Sequence, residues 1–148
     1  MTDTHQISAF NVPFTVGEII SNKILYTTFK CACEGGVRYS SAYHLLVLVS
    51  NFVDPRHTGG EWKDNTLYYT GSGKSGDQDI SQGTNKRLVT SLQEATPIYY
   101  FEVHTQGRYT YRGQLCSAGH PFQRQEPGAD GTDRKVWIFP LRLLGAQV

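Results

Sequence analysis

The chain has 148 residues, enough for one domain that buries a hydrophobic core without the help of metals or disulfides. Hydrophobic residues make up 39% and charged residues 18% of the sequence, a balance that excludes an intrinsically disordered chain. The formal net charge of +1 excludes a uniformly basic domain, so any surface that binds a polyanion has to be local.

No apolar run approaches the roughly 18 residues that a membrane-spanning helix needs, and the N-terminus lacks the basic and apolar segments of a secretion signal. The three cysteines, Cys31, Cys33 and Cys116, are odd in number and lack the spacing of a zinc site. We therefore expect reduced thiols in a cytoplasmic protein that has no membrane partner, no metal and no cofactor.

The first third of the chain predicts one helix. Residues 1–14 form a polar lead-in, and residues 15–148 form the domain. Asn22 is a candidate cap for a short helix that ends near Lys30, although a strand is a close alternative because apolar and polar residues also alternate there. Three residues fall on the side of the helix that would be buried: Ile24, Leu25 and Phe29.

The middle of the chain predicts two strands separated by a long loop. Residues 45–49, LLVLV, are a continuous apolar run typical of a central strand. Residues 50–66 are polar and carry turn signals, and ordered loops of this length are often functional. Residues 67–70 resume a strand, which runs into the glycine-rich stretch 71–76.

The rest of the chain predicts one more helix and several strands. Thr84 or Asn85 can cap a helix that ends near Glu94. Aromatic and β-branched residues then predict three strands, at 98–103, 109–115 and 135–143. A turn at 127–131 precedes the last of them. The fold class is therefore α+β and β-dominated, a curved sheet or small barrel with two short helices.

The residue patterns of known catalytic sites are not found. Residues 71–75, GSGKS, superficially resemble a phosphate-binding loop, but the glycines stand too close to Lys74 for the G-x-x-x-x-G-K-[ST] pattern. The five histidines have no metal-binding spacing and form no evident set with a nucleophile. We therefore expect no catalytic residues in this chain.

Two aromatic residues stand next to polar loops and suggest a binding site. Phe52 follows the predicted central strand, and Tyr69 ends the next one. If these strands were neighbours, both rings would project from one end of the sheet, and a planar base could stack between them. Asp54 could then accept a hydrogen bond from the base edge. The alternative is that both rings belong to the core, where most aromatic residues lie.

Several motifs resemble one family, the SRA (YDG) domains of methylated-DNA readers. Residues 68–73 (YYTGSG), the Asp77–Gln78 pair and residues 85–88 (NKRL) are similar to the family's YTGSG turn, DQ pair and helix start. Further similarity is found at residues 35–40, 47–52, 111–113 and 136–143. Arg112 stands where the family carries the Asp of Tyr-Asp-Gly.

This resemblance covers residues 15–144 and implies a PUA-like fold. It is closest to the bacterial branch, in which such a domain precedes an HNH nuclease in modification-dependent restriction enzymes. No HNH motif is visible in this sequence, so the resemblance implies a reader domain whose partner is a fused or separate nuclease domain.

The resemblance also implies a base-binding pocket. Tyr69 and Phe52 would stack on the two faces of a flipped cytosine that carries a methyl, hydroxymethyl or related group. Asp54 would accept from its amino group, and backbone groups of Thr70 and Gly71 would complete the edge contacts. The chain's partner is then double-stranded DNA with a modified cytosine.

Affinity for such DNA has to come mainly from contacts with its phosphates. The candidates for the DNA backbone or groove lie near the proposed pocket: Val37, Arg38, Arg56, His57, Lys63, Lys74, Lys86 and Arg87. The loop after the YTGSG turn is shorter than in eukaryotic members, and residues 56–65 could replace it. We expect structural roles for Asp77 and Gln78 in the loop and for Asn85 as a helix cap.

Two other functions stay open at the level of the sequence. One is a PUA-like reader of modified bases in RNA, which a comparison of DNA and RNA affinity would separate from a DNA reader. The other is a small hydrolase that acts on a nucleotide, which a turnover assay would reveal.

The role of Asp54 can be tested directly. If its carboxylate accepts a hydrogen bond from the cytosine amino group, Asp54→Asn should weaken binding of modified DNA by about 1–3 kcal/mol, the scale of one base-edge contact. Fluorescence anisotropy with a labelled duplex measures the change. Equal affinity of the variant and the parent would assign the edge contact to another group.

Overall fold

A computed structural model describes residues 10–53, 59–73, 76–128 and 130–145. Within these ranges the chain forms nine strands and two helices. In chain order they are β1 (Ile19–Ile20), α1 (Asn22–Phe29), β2 (Val37–Ser40), β3 (Leu45–Asn51), β4 (Glu61–Lys63), β5 (Thr66–Thr70), α2 (Gly83–Gln93), β6 (Ile98–Thr105), β7 (Arg108–Ser117), β8 (Phe122–Pro127) and β9 (Asp133–Leu143).

All nine strands belong to one sheet, in the order β2-β3-β6-β7-β9-β5-β4, with β1 added on β7 and β8 on β9. The β3–β6 pair is parallel, with Leu46 opposite Ile98, and the other pairs in the described chain are antiparallel. Because β3 and β6 run in the same direction, both end at the same edge of the sheet. The predicted β-dominated, curved-sheet fold with two short helices is confirmed.

The two faces of the sheet bury two separate apolar clusters. In β6, Tyr100 joins the cluster that the curved sheet encloses together with Leu88 of α2. The neighbouring residues Tyr99 and Phe101 point to the opposite face, which α1 covers with Phe29. This alternation with a period of two is what places chosen side chains of β6 inside the curve of the sheet.

Helix α1 begins and ends at residues with recognisable capping geometry. Its N-cap is Ser21, whose Oγ accepts a hydrogen bond from the Ile24 amide at 3.2 Å, so the predicted cap at Asn22 was one residue late. Lys30 ends the helix with φ 56°, in the left-handed region. Leu25 and Phe29 are buried as expected, whereas Ile24 is 47% exposed. The strand alternative for this segment is therefore wrong.

Helix α2 begins at Gly83, earlier than Thr84 or Asn85 would have placed it. Its N-cap, Gln82, makes no capping bond through its side chain. Asn85 lies in the first turn, and its side chain bonds to the preceding loop instead of capping the helix. Leu88 is fully buried and attaches the helix to the enclosed core.

Four short strands were not predicted: β1, β2, β4 and β8. Strand β4 has three residues inside the segment that we read as a polar loop, and Trp62 in its centre is half-buried. The sequence of β8, FQRQEP, has no alternation of apolar and polar residues that would predict a strand, and none of its residues is buried. The turn expected at 127–131 does connect β8 and β9 in the described residues on either side of position 129.

The described part of the lead-in packs on the domain. The rings of Phe10 and Phe14 lie 5.1 and 6.2 Å from the ring of Phe29. Residues that we assigned to the lead-in therefore make apolar contacts with the domain. The domain boundary at residue 15 remains a prediction. Neither helix in the described ranges has the length and apolar character that crossing a bilayer requires.

Phe29 provides a test of how α1 is held on the sheet. Phe29→Ala should lower the free energy of unfolding by about 3–5 kcal/mol, because it removes a fully buried ring from a packed cluster. Ile24→Ala, on the exposed side of the same helix, should change it by only about 0.5 kcal/mol. Denaturant unfolding measures both values. Similar losses for the two variants would contradict the packing described.

Candidate nucleic-acid interface

The two predicted stacking residues lie on strands that are not neighbours in the sheet. Phe52 directly follows β3, and its amide donates to the Val103 carbonyl of β6 at 2.8 Å. Its side chain is 39% exposed. Tyr69 lies near the end of β5, which pairs with β4 and β9. Strands β3 and β5 are therefore not neighbours in the sheet, as the prediction of a shared pocket had assumed. They are in contact through a side chain instead.

A side-chain hydrogen bond joins these two strands across the curve of the sheet. The Tyr69 hydroxyl donates to the Val49 carbonyl of β3 at 3.1 Å. Burial raises the pKa of Tyr69 well above its usual value, so the hydroxyl stays a donor at any physiological pH. A Cβ at Gly36 would lie 2.3 Å from this hydroxyl oxygen, so the contact requires glycine there. Tyr69 itself is only 3% exposed.

A second contact ties the segment before β4 to β3. The Ser50 hydroxyl, which is buried, donates to the Gly59 carbonyl at 2.8 Å. A Cβ at Gly60 would lie 2.5 Å from the Tyr68 carbonyl oxygen, and the φ of Gly60 is +105°. Both values require glycine at this position. The β4–β5 hairpin is thus held close against the end of β3.

The turn after Tyr69 is held by two amide side chains. Gln78 donates to the Gly71 carbonyl at 2.8 Å and accepts from the Trp137 amide at 2.8 Å. Asn85 accepts from the Ser72 amide at 2.7 Å and donates to the Ser72 carbonyl at 3.0 Å. These bonds explain the glycine in the turn, because a Cβ at Gly71 would lie within 3.0 Å of both side chains.

The rest of the turn is bonded to β9. Asp77 accepts from the Lys135 amide at 2.8 Å, and the Arg134 guanidinium donates to the Gly73 carbonyl at 2.6 Å. Asp77 and Gln78 thus connect the loop to the sheet, which agrees with the structural roles expected for them. Asn85 also has a structural role, although it bonds to the loop and does not cap the helix as expected.

The sequence analysis missed a buried carboxylate at the edge where β3 and β6 end. Glu102 of β6 is 3% exposed, and four side chains bond to it. The Trp62 indole donates to it at 2.6 Å and the Tyr100 hydroxyl at 3.0 Å. His104 lies 3.1 Å from its second oxygen, which also accepts from Arg112.

Two irregularities in the β6–β7 pairing bring these groups together. Tyr100 pairs with Gly113 and Phe101 with Tyr111, which leaves Arg112 as an extra residue on β7. Val103 pairs with Tyr109 and Thr105 with Arg108, which leaves His104 as an extra residue on β6. A β-bulge redirects the side chain of its extra residue. Both extra residues reach the same carboxylate, that of Glu102.

The hydrogen bonds fix the charge of this carboxylate. Burial alone would raise the pKa of Glu102, but the bonds from Trp62 and His104, the charge of Arg112 and the bond from Tyr100 together hold that pKa below its usual value. Glu102 is therefore ionised at neutral pH. A single polar residue inside the otherwise apolar run of residues 98–103 was the signal that could have identified it.

His104 also connects the carboxylate to a predicted stacking residue. The rings of Phe52 and His104 are stacked, with centroids 4.9 Å apart and an angle of 14° between their planes. We use the name mouth for the group of Phe52, Trp62, Glu102, His104 and Arg112 at this edge of the sheet. It combines an exposed aromatic face with a buried anion and a half-buried cation.

The predicted DNA-backbone residues are divided by exposure. Lys63 on β4 and Lys86 and Arg87 on α2 are exposed. The Arg87 guanidinium carbon lies 3.9 Å from the centroid of the Tyr39 ring, within the range of a cation–π contact. These three side chains are available to a polyanion.

Val37 and Arg38, which we expected at the surface that faces DNA, are buried. Val37 is 8% and Arg38 3% exposed. The Arg38 guanidinium donates to the Gly35 carbonyl and to the Asn22 side chain, both at 2.7 Å. Its N–H groups thus hold the start of α1 against β2, and the structure places both residues inside the domain instead of at its surface.

Asp54, Arg56, His57 and Lys74 lie outside the described residues, and their predicted roles remain predictions. Among the residues that are described, no three His, Cys, Asp or Glu side chains are placed to hold a metal ion. Cys31, Cys33 and Cys116 are free cysteines. Burial raises the pKa of the Cys31 thiol to about 11, which keeps it protonated at neutral pH.

Several solved structures with this fold contain an SRA domain. The sulfur-binding and SRA domains of ScoMcrA, complexed with phosphorothioated DNA, match with a TM-score of 0.72 at 18% identity over 91% of this chain and 41% of that one. The SRA domain of SUVH5, in complex with hemimethylated CG DNA, matches with a TM-score of 0.63 at 21% identity over 93% of both chains. The fold is thus of the SRA, PUA-like type.

The restriction endonuclease AspBHI, which is DNA modification-dependent, matches with a TM-score of 0.65 at 18% identity over 82% of this chain and 37% of that chain. No curated protein matches. A family model described as the SRA domain of ScoMcrA-like proteins matches residues 16–148. The chain therefore belongs to the ScoMcrA-like SRA family, which confirms the SRA domain that the motifs indicated. It spans about two fifths of the matched ScoMcrA and AspBHI chains.

The buried carboxylate gives a prediction about stability and pH. Glu102→Gln should lower the free energy of unfolding at pH 7 by about 1–3 kcal/mol, because the buried donors lose a charged acceptor. The folded-state pKa of Glu102 is lowered, so its contribution is complete above the unfolded value of about 4.3 and is lost as pH falls through the lower folded value. The difference between parent and variant should shrink over that range.

Glu61→Gln is the matched control, because the Glu61 side chain is 68% exposed and lies 4.0 Å from Arg124. Its unfolding curve should follow that of the parent at every pH. Denaturant titrations between pH 2.5 and 7 measure all three proteins. A constant gap between the parent and Glu102→Gln across this range would contradict the assignment of a lowered pKa to Glu102.

Proposed function

We propose that this domain reads a modified cytosine in double-stranded DNA and that the base, flipped out of the duplex, binds at the mouth. Membership of the ScoMcrA-like SRA family supports the proposal. Three of the solved structures that share the fold are complexes with phosphorothioated, hemimethylated and hydroxymethylated DNA. The reader would direct a nuclease domain, fused or separate, in a modification-dependent restriction system.

One observation carries the location of the pocket. Phe52 presents a partly exposed ring, three residues after the carbonyl of Val49 to which the Tyr69 hydroxyl is bonded. The two aromatic residues expected to stack on the base are thus attached to the same strand end. A stacked base gains about 1–3 kcal/mol per aromatic partner, which offsets the few kcal/mol needed to unstack and unpair it.

Stacking on Tyr69 requires the pocket to open. At 3% exposure its ring offers no free face, so the base can reach it only when neighbouring groups move aside. The domain would then bind in two parts, with Phe52 available from the start and Tyr69 reached as the pocket opens. The free energy of opening reduces the affinity for every base and favours those that gain most inside the pocket.

The edge of the base would be read by a small number of groups. The Gly71 amide donates to the Trp137 carbonyl at 2.8 Å, and the Gly71 carbonyl accepts from Gln78. The missing side chain of Gly71 makes room for Gln78 and Asn85, and among the described residues its carbonyl accepts from Gln78 alone, which leaves one lone pair for the base. Asp54 and the backbone of Thr70 would provide the remaining edge contacts.

Contacts with phosphates would come from exposed cations on α2 and β4. Lys86 and Arg87 lie on one turn of α2, beside the loop that Asn85 holds. Lys63 lies on β4, next to Trp62 of the mouth. Arg56, His57 and Lys74 keep the same proposed role. A local group of this kind allows a domain with a net charge of +1 to bind a polyanion.

Phe52 tests the pocket. Phe52→Ala should remove about 1–3 kcal/mol of the preference for modified over unmodified DNA, the value of one stacking partner. Phe122→Ala is the matched control, because Phe122 is an aromatic residue of similar exposure on β8, at 42% against 39% for Phe52. Competition binding with one duplex that carries unmodified, methylated or hydroxymethylated cytosine measures the preference, and 2-aminopurine beside the target reports base flipping.

The same panel separates the alternatives. Equal loss in the Phe52 and Phe122 variants would mean that the mouth is not the base site. Tighter binding of a modified RNA strand than of any DNA duplex would overturn the assignment to DNA.

Salt dependence tests the phosphate contacts. The slope of log K against log salt should be roughly −3, from about −0.9 for each of three or four phosphates neutralised. Lys86→Ala should make the slope shallower by about one if its ammonium meets a phosphate. Modified and unmodified duplexes should give similar slopes, since the stacked base adds contacts but little charge. A flat dependence for the parent would contradict DNA binding altogether.

A further inference from the structure

We infer that His104 is a positioning residue for base recognition, which holds the Phe52 ring at the mouth in the orientation that a flipped base requires. The inference rests on the proposed function and adds to it a residue that does not itself touch the base. It depends on three observations: a ring stack, a hydrogen-bond chain behind it, and a bulge in which His104 is the extra residue of β6.

The first observation is that the Phe52 ring stacks on the ring of His104. The backbone of Phe52 is joined to β6 by one hydrogen bond among the described residues, from its amide to the Val103 carbonyl. The Val53 that follows is 40% exposed, and the only aromatic contact of Phe52 among the described residues is with His104. An exposed side chain of this kind samples several rotamers, and fixing it on binding costs about 0.5–1.5 kcal/mol.

The second observation is that His104 is itself fixed, although its side chain is 61% exposed. Its Nε2 lies 3.1 Å from Glu102, and Glu102 is held by the Trp62 indole and the Tyr100 hydroxyl. Tyr100 is fully buried in the enclosed core. A continuous chain of contacts thus leads from the core through a carboxylate to the imidazole, and from the imidazole to the exposed ring.

The third observation is the position of His104 in the sheet. It is the extra residue between the Val103–Tyr109 and Thr105–Arg108 pairs, so it has no partner across the strands in this ladder. A bulge interrupts pairing and redirects one side chain, and bulges are over-represented at sheet edges and next to active sites. Here the redirected side chain lies parallel to Phe52, at 14° between the ring planes.

These observations define what His104 does. It covers one face of the Phe52 ring and leaves the other face for a base, so that imidazole, phenyl ring and base form one continuous stack. The rotamer of Phe52 is then already selected before DNA arrives, and the ordering cost is met during folding. Loss of the imidazole should therefore reduce discrimination between modified and unmodified DNA more than it reduces binding of DNA in general.

Four variants of the full chain separate the ring from the hydrogen bond. His104→Ala removes both, His104→Phe keeps a ring that can stack, and His104→Gln keeps a hydrogen-bonding group without a ring. His120→Ala, at an exposed histidine after β7, is the control. Each protein is measured for its affinity ratio between hydroxymethylated or methylated and unmodified duplexes, for base flipping by 2-aminopurine, and for thermal stability.

We expect His104→Ala and His104→Gln to lower the affinity ratio by about 2- to 12-fold, the scale of one aromatic pair. His104→Phe should restore most of the ratio, and the control should match the parent. Loss of the ratio in the Phe variant together with retention in the Gln variant would overturn the inference, as would an unchanged ratio in His104→Ala while Phe52→Ala loses it. An unchanged ratio in Phe52→Ala would instead overturn the proposed function.

Discussion

The interaction on which the mouth depends is the ionised carboxylate of Glu102 inside the curve of the sheet. A buried charge is strongly unfavourable unless hydrogen bonds and an opposite charge compensate it. Here the compensation comes from β4, β6 and β7, through Trp62, Tyr100, His104 and Arg112. Because each donor is directed at the same two oxygens, the carboxylate fixes the relative positions of the three strands that meet at the mouth.

The loop that carries the YTGSG turn is held in a different way, by hydrogen bonds between its backbone groups and nearby side chains. Gln78 and Asn85 bond to both sides of the turn, and a Cβ at Gly71 would collide with either of them. Gln78 and Asn85, which look like surface residues in the sequence, are thus buried, at 6% and 4% exposure. Their contribution is shape, since their hydrogen bonds hold the backbone of the turn in one position.

The sequence predicted the parts of this fold that depend on local patterns. The apolar run of β3, the helix with Leu25 and Phe29 inward and the family of the domain were all recognised, because periodicity and a contiguous motif carry them. The Glu102 cluster could not be assembled in the same way. It joins residues 40 positions apart, such as Trp62 and Glu102, and it depends on two bulges whose positions no propensity encodes. The burial of Arg38 was missed for a similar reason, since its partner Asn22 is distant in sequence.

The parallel pairing of β3 with β6 has a consequence for how the mouth forms during folding. Between these two strands the chain makes a long excursion that contains β4, β5, the glycine turn and α2. Closing such a loop costs conformational entropy before any contact between the strands is gained, which slows the formation of non-local pairs. Until that pair forms, Phe52 and His104 belong to strands that have not met. The mouth can therefore form only after this pair has closed, and a chain in which β3 and β6 are still apart would lack the stack of Phe52 on His104.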